Sequence, residues 1–293
     1  MRYIKKTGTP FEAKGRGQTK AFIDSCWQAD SGEYIGLVYD RSRLGQLEET
    51  LVDEQRDGVG NSYCCYCMRK LYLSNVEDHV ANVTLEHIIP HQITDKDWNT
   101  DKNKYQQFPN LNDKHVSVCI GGELSEEQKI TKITGMPYPH YVSYHNLVAS
   151  CDGKLMEQNT LYSSRCCNNK RQERFVLPIY LDENLSKGIG YTKKGELEFD
   201  DEVYDDKWFD KDHLNLCNSW IVLVRRLWYR IAISEYTAQN IEDAKTQDSL
   251  RRNIIDDIDF DEEIDSWFDN KEAWNLLSEY SWFYGYYKSK FHK

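Results

Sequence analysis

The chain has 293 residues and a formal net charge of −11, from 37 basic and 48 acidic side chains. That length supports a sizeable core in one large domain or two small ones, and a composition of 40% apolar and 13% aromatic residues excludes wholesale disorder. No apolar run approaches the roughly 20 residues of a membrane helix; the aliphatic candidate 220–224 ends at Arg225 and Arg226. The opening MRYIKKTGTP is basic with no apolar stretch behind it, so no secretory signal is expected. In the cytoplasmic, reducing setting this implies, nine cysteines are expected to be thiols or metal ligands rather than disulfides.

The charge is unevenly placed. Residues 200–293 hold 21 acids and 12 bases, while the first 20 residues hold six bases against Glu12 alone. The acidity belongs to the tail, and the front of the chain is free to meet an anion.

Residues 1–40 read as an extended basic arm followed by mixed structure. The arm has two readings, a contact with nucleic acid or a dock for a partner. Over 40–55 the spacing predicts a helix, with Leu44, Leu47, Leu51 and Val52 on one face and Glu48, Glu49, Asp53 and Arg56 on the other. DGVGNS then breaks it. TLEHIIP (84–90) reads as a strand stopped by proline, and 91–143 as a long polar insertion of loops and short helices. YHNLVASC (144–151) reads as a second strand. CNNKRQER (167–174) reads as a helix start that Asn168 can cap, and YTKKGELEF (191–199) as a hairpin turning at Gly195. Beyond 212, a helix is expected over 216–236, with Trp220, Leu223, Leu227 and Ile231 at helical spacing, and another over 271–284. The stretch 256–265, with seven acids, reads as a solvated helix or linker. The resulting divisions are 1–60 (arm and helix), 61–175 (a core carrying the insertion 91–143) and 176–293 (hairpin and acidic helical region).

Three groups of residues carry chemistry. Cys64 and Cys67 form a C-x2-C turn, which aims two thiolates at one tetrahedral ion, and Cys151 with Cys166 or Cys167 closes the set. Against this stands the reading of such cysteines as buried apolar residues. Cys26, Cys119 and Cys217 are isolated and read as packing residues. Glu86 and His87 are neighbours on a strand, so they point to opposite faces; an imidazole can take a proton from water and a carboxylate suits a hard dication. The bland reading is surface decoration. Finally, Asn146 and Asn168 offer amide oxygens, with Lys170, Arg171 and Arg174 following as phosphate contacts or as an ordinary exposed helix face. The aromatic end, YSWFYGYYKSKF (280–291), can stack on single strands or pack as a core helix.

Taken in order, C-x2-C, LEHIIP, NL with a cysteine beyond and CN-x-K resemble the HNH endonucleases, the ββα-metal (His-Me) finger nucleases, over roughly 64–170. The resemblance implies an α+β fold in which a ββα-metal core with structural zinc is embedded in a mostly helical chain. It implies that His87 is the general base, that Glu86 and Asn168 hold Mg²⁺ or Mn²⁺, that Asn146 organises the loop, and that Cys64, Cys67, Cys151 and Cys167 hold Zn²⁺. The implied reaction is phosphodiester hydrolysis leaving a 5′-phosphate. The chain departs from the family in the long spacing between EH and NL, and in the 15 residues between Cys151 and Cys167, which leave Cys166 against Cys167 open although the CN pairing favours Cys167. MRYIKK, LVDEQ, CCYCMRKL, LEHIIPHQ, YHNLVASCDG and YTKKGELEF further resemble the PtuB family, the HNH subunit of Septu antiphage systems, also found with some retrons. That likeness implies a PtuA-like ATPase partner and, in retron versions, a reverse transcriptase with its single-stranded DNA. DNA and tRNA both stay open as substrates. The other readings are a zinc-organised non-catalytic module that binds nucleic acid or a partner, and a stand-alone restriction-type enzyme, whose expected basic recognition domain the acidic tail lacks.

Overall fold

The computed structural model describes residues 1–75, 79–155, 165–199, 209, 213–233 and 271–291. Its architecture is mixed: helices around several small two-stranded sheets, with a buried group of four cysteines. Among the described residues, no helix is long and apolar enough to cross a membrane.

The front of the chain is helical where an extended arm is expected. Helix α1 spans Pro10–Cys26, with Thr9 accepting the Glu12 N–H as its cap and proline in the first turn. Its buried face is Gly15, Thr19, Phe22, Ile23 and Cys26, a helical spacing hidden in the sequence because Gly and Thr open it. At Gly15 the reason is close approach: a Cβ there would lie 2.1 Å from Cδ2 of Tyr144. The leading residues are also engaged. Met1 and Ile4 are buried, Lys6 pairs with Glu54 at 2.5 Å, and Arg2 donates to the carbonyls of Gln55 and Arg56. Arg2 and Lys6 are therefore structural, which removes them from any anion-binding arm.

Helix α2, Gly45–Glu54, buries Leu47, Leu51 and Val52 as its period predicts, with Leu44 buried just before it. Glu48, expected on the exposed face, is buried and bonded to Arg41. Two short strands, β1 (Trp27–Gln28) and β2 (Glu33–Tyr34), pair between these helices.

Strand β3, Val83–His87, pairs antiparallel with a strand at Leu147–Cys151 in a register running from Val83↔Cys151 to His87↔Leu147. This second strand is buried at all five positions, so YHNLVASC is a 3-10 turn, Tyr144–Asn146, followed by a strand. The Gln55 amide plugs its open edge, donating to the carbonyls of Tyr63 and Ala149 and accepting the Ala149 N–H. Between the two strands lies the polar insertion. It holds α3 (Asp95–Gln106), capped by Thr94, a parallel pair β4 (Val116–Ser117) with β5 (Tyr138–Pro139), and the four-residue α4 (Glu126–Lys129). The strand Leu147–Cys151 is thus β6.

Helix α5, Asn168–Arg171, lies along β3: the Asn168 amide donates to Leu85 O at 3.1 Å and Arg171 to the carbonyls of His87 and Ile88 at 2.6 and 2.7 Å. The residue capping this helix is Cys167, at φ 56°, not Asn168. The short α6 (Glu183–Lys187) leads into the hairpin of β7 (Ile189–Tyr191) and β8 (Leu197–Phe199), which turns at Gly195 as expected. A Cβ at Gly195 would sit 2.1 Å from Val222 O, since the turn rests on α7, Ser219–Ile233. The expected aromatic helix is two: α8 (Lys271–Glu279) and α9 (Trp282–Phe291). Phe283 and Tyr287 of α9 are buried against Tyr191 and Tyr229. Of the two readings of the aromatic end, packing is the one observed. The acidic run 256–265 lies outside the described residues.

Candidate metal centre and the adjoining strand pair

The Sγ atoms of Cys64, Cys67, Cys151 and Cys167 all lie within 4.8 Å of one another. Cys64–Cys167 and Cys67–Cys151 are 3.8 and 3.7 Å apart. A tetrahedral tetrathiolate site with bonds of about 2.3 Å has edges of about 3.8 Å, so the donor set fits such an ion and could hold a metal. The four side chains are fully buried. Burial pushes the Cys67 and Cys167 thiols up, while hydrogen bonds from Cys151 and Cys167 carry Cys64 down against that same burial. A dry cluster containing a thiolate calls for a cation beside it.

Local backbone explains why these four meet. In the knuckle 64–68, Met68 takes φ 64° and its N–H donates to Cys64 O. Cys151 ends β6. Cys166 N donates to Gly153 O, and a Cβ on Gly153 (φ +71°) would lie 2.1 Å from Cys166 O. This close crossing delivers Cys167 to the cluster and leaves Cys166 beside it, 3.5 Å away. Cys26 and Cys119 are buried away from the cluster and Cys65 is buried against Cys64, whereas Cys217, expected to pack, is exposed.

Around the cluster stands a ring of groups that no motif marks. The Tyr280 hydroxyl reaches Cys67 Sγ at 3.6 Å. Arg69, next to the knuckle, is bonded to Glu279, Asp152 and Lys154 O, while His79 Nδ1 lies 3.2 Å from Glu279. No local signal could have found Glu279 and Tyr280, since they arrive from more than 200 residues away.

His87 ends β3 as a half-buried ring. Its Nε2 lies 3.0 Å from Tyr141 O. A carbonyl only accepts, so the proton resides on Nε2 and Nδ1 carries the lone pair. Among the described residues no hydrogen bond engages Nδ1. Tyr39 meets the ring edge-on at 4.4 Å and His91 stacks on it at 5.3 Å. Burial pulls the His87 imidazole down to about 3, against the raising effect of the Tyr141 carbonyl. The ring is thus neutral at pH 7.

Glu86 faces the other way, as strand alternation requires. It is 2% exposed, accepts the Tyr66 hydroxyl at 2.7 Å and is ion-paired to Arg171. Burial raises its carboxyl above the usual range, opposed by Arg171 and Tyr66. Arg171, read from the sequence as a phosphate contact, is 1% exposed and also bonds the carbonyls of His87, Ile88 and Arg174. It is an internal strut. Lys170 is buried as well; of the three basic residues only Arg174 is exposed.

Asn146 organises its loop. Its amide donates to the carbonyls of Ile89 and His140 and accepts the Ile89 N–H at 2.7 Å. Asn168 and Arg174 line an open cleft of about 980 Å³, with Arg165, Lys104, Asp101 and Glu173 also on its walls. Glu86 and His87 are not among its lining residues. The structure thus brings the four cysteines together and sets Asn168 against β3, but it separates both Glu86 and His87 from the cleft.

No protein-family model, curated protein or solved structure matches the chain.

Proposed function

We propose that this chain is an HNH-type endonuclease that hydrolyses phosphodiester bonds of DNA or tRNA, with the strand pair β3–β6 and helix α5 as a ββα unit clamped by Zn²⁺ on Cys64, Cys67, Cys151 and Cys167. The observation that carries the reading is His87: a neutral imidazole at a strand end, its Nε2–H held by a backbone carbonyl, its Nδ1 unengaged among the described residues. Nδ1 takes the proton of an attacking water, the new P–O bond forms, and the bond to the 3′-oxygen breaks with its electron pair, which a solvent water protonates, to leave a 5′-phosphate and a 3′-hydroxyl. Lys104, Arg165 and Arg174 give the cleft beside α5 cations for flanking phosphates.

In such enzymes a divalent ion, Mg²⁺ or Mn²⁺, relieves charge at phosphorus. The Glu86 carboxylate does not fit that ion here, because it is buried and shared by Arg171 and Tyr66. Its role in this chain is to anchor α5 to β3. This one observation favours a second reading, a zinc-organised module without activity that docks nucleic acid or a partner.

A cleavage time course separates the two. Purified chain is offered plasmid DNA and total tRNA with Mg²⁺ or Mn²⁺, alone and with a co-expressed PtuA-like ATPase. Cleavage that His87→Ala lowers by roughly 10²- to 10⁴-fold, with the melting curve unchanged, is the expected result. Full activity in His87→Ala rejects the assignment. Silence under every condition leaves the docking module.

A further inference from the structure

Away from the thiolates, a second set of metal-type donors converges. Glu12 lies in the first turn of α1, His115 just before β4, and His145 in the turn Tyr144–Asn146. One nitrogen from each ring and a carboxylate oxygen lie within 4.8 Å of one another. The ring centres of the two histidines are 4.5 Å apart.

Each donor is aimed by a neighbour. Glu12 Oε2 accepts the Gly8 N–H at 2.7 Å, leaving Oε1 3.1 Å from His145 Nε2. His115 Nδ1 lies 3.1 Å from Asn112 Oδ1, which also accepts the Lys114 N–H. An amide oxygen only accepts, so the His115 proton sits on Nδ1 and Nε2 presents a lone pair. His145 is fully buried; its Nε2–H donates to the Glu12 carboxylate, and among the described residues its Nδ1 has no hydrogen-bond partner, so an ion on Nε2 displaces that proton to Nδ1.

We propose that Glu12, His115 and His145 bind one first-row transition-metal dication of the zinc class, with a fourth position open to water. An ion with bonds of about 2.1 Å holds neighbouring ligand atoms about 3.0–3.4 Å apart, and the Glu12–His145 separation already meets this. Two imidazoles exclude the hard cations, which take oxygen. His115 is half-buried, and its ligand atom lies within 4.8 Å of those of Glu12 and His145. Arg16, 3.9 Å from Glu12 Oε1 with its side chain 42% exposed, swings outward as the ion takes over the carboxylate. The ion would tie α1 to the segment at 115 and to the turn beside Asn146.

The test uses the full chain loaded with Co²⁺ and desalted. Thiolate-to-cobalt charge transfer in the near ultraviolet reports the four-cysteine site alone; a site of two histidines and a carboxylate adds visible absorption without it. Two equivalents per chain are expected in the wild type and one in His115→Ala, with the charge-transfer band unchanged. Glu12→Gln, which keeps the side-chain shape and the contact to Gly8 but removes the carboxylate charge, serves if His115→Ala misfolds, and is likewise expected to hold one equivalent. A wild type that takes up a single equivalent even in excess Co²⁺, or variants that still hold two, would overturn the proposal. The outcome is independent of the nuclease reading, since it needs no activity.

Discussion

Removing the Glu86 carboxylate would leave the Arg171 guanidinium charged in a dry interior. Breaking a buried pair from one side costs about 3–5 kcal/mol, so Glu86→Ala is expected to lose that much in urea unfolding. If stability is instead unchanged and cleavage alone is lost, Glu86 is a metal ligand and the ion-pair account fails. His140 gives a second prediction. Its Nε2 lies 3.1 Å from the carbonyls of Pro90 and His91, and its Nδ1 accepts the Cys119 N–H. Burial brings it down to about 4. Between an unfolded value of about 6.5 and that folded value, the unfolded chain binds the extra proton, so stability falls as pH falls. The loss is on the order of 3 kcal/mol, read as a decline in melting temperature that His140→Gln makes shallower. Residue identity was legible where chemistry is local: the four cysteines that converge. It was not legible for Arg171, whose place on a short polar helix looks exposed until β3 is laid beside it.

Among the elements, the crossing of Gly153 with Cys166 sets the shape of the thiolate cluster. A methyl group there meets both a left-handed backbone and the Cys166 carbonyl. Gly153→Ala is therefore expected to lower the melting temperature and weaken metal retention together, as measured by metal release against a chromogenic chelator. An unaltered release rate would show that the crossing yields without strain. Elements with an apolar period, such as α2 and α7, were visible in the sequence. Helix α1 was not, because its buried stripe begins with Gly15 and Thr19 rather than with aliphatic residues. Helix α3 was expected only as one of several short helices in the insertion and could not be placed, because Tyr105 alone of its residues is buried, so it shows no stripe at all.

At the scale of the molecule, the cysteine cluster joins the knuckle at 64–67, the end of β6, the start of α5 and, through Tyr280 and Glu279, the last helices. If the cluster holds Zn²⁺ as proposed, a strong chelator is expected to abolish the cooperative melt of the whole chain rather than loosen one region, and added Zn²⁺ to restore it. A melt that survives chelation would mean that packing alone holds these parts. The acidic tail was read as separate from the front of the chain; the packing of α8 and α9 on the knuckle and hairpin arose from contacts that no periodicity encodes.

That packing has a consequence for how the chain is made. Arg69 and Cys67 meet Glu279 and Tyr280 across 210 and 213 residues. At roughly 5–20 residues per second of synthesis, on the order of ten seconds pass between the emergence of Cys167 and that of Tyr280. Throughout that interval all four thiolates are present and their cover is not. An ion captured early would protect them from oxidation and mispairing, so zinc supply during translation, rather than after it, is expected to set the yield of native protein.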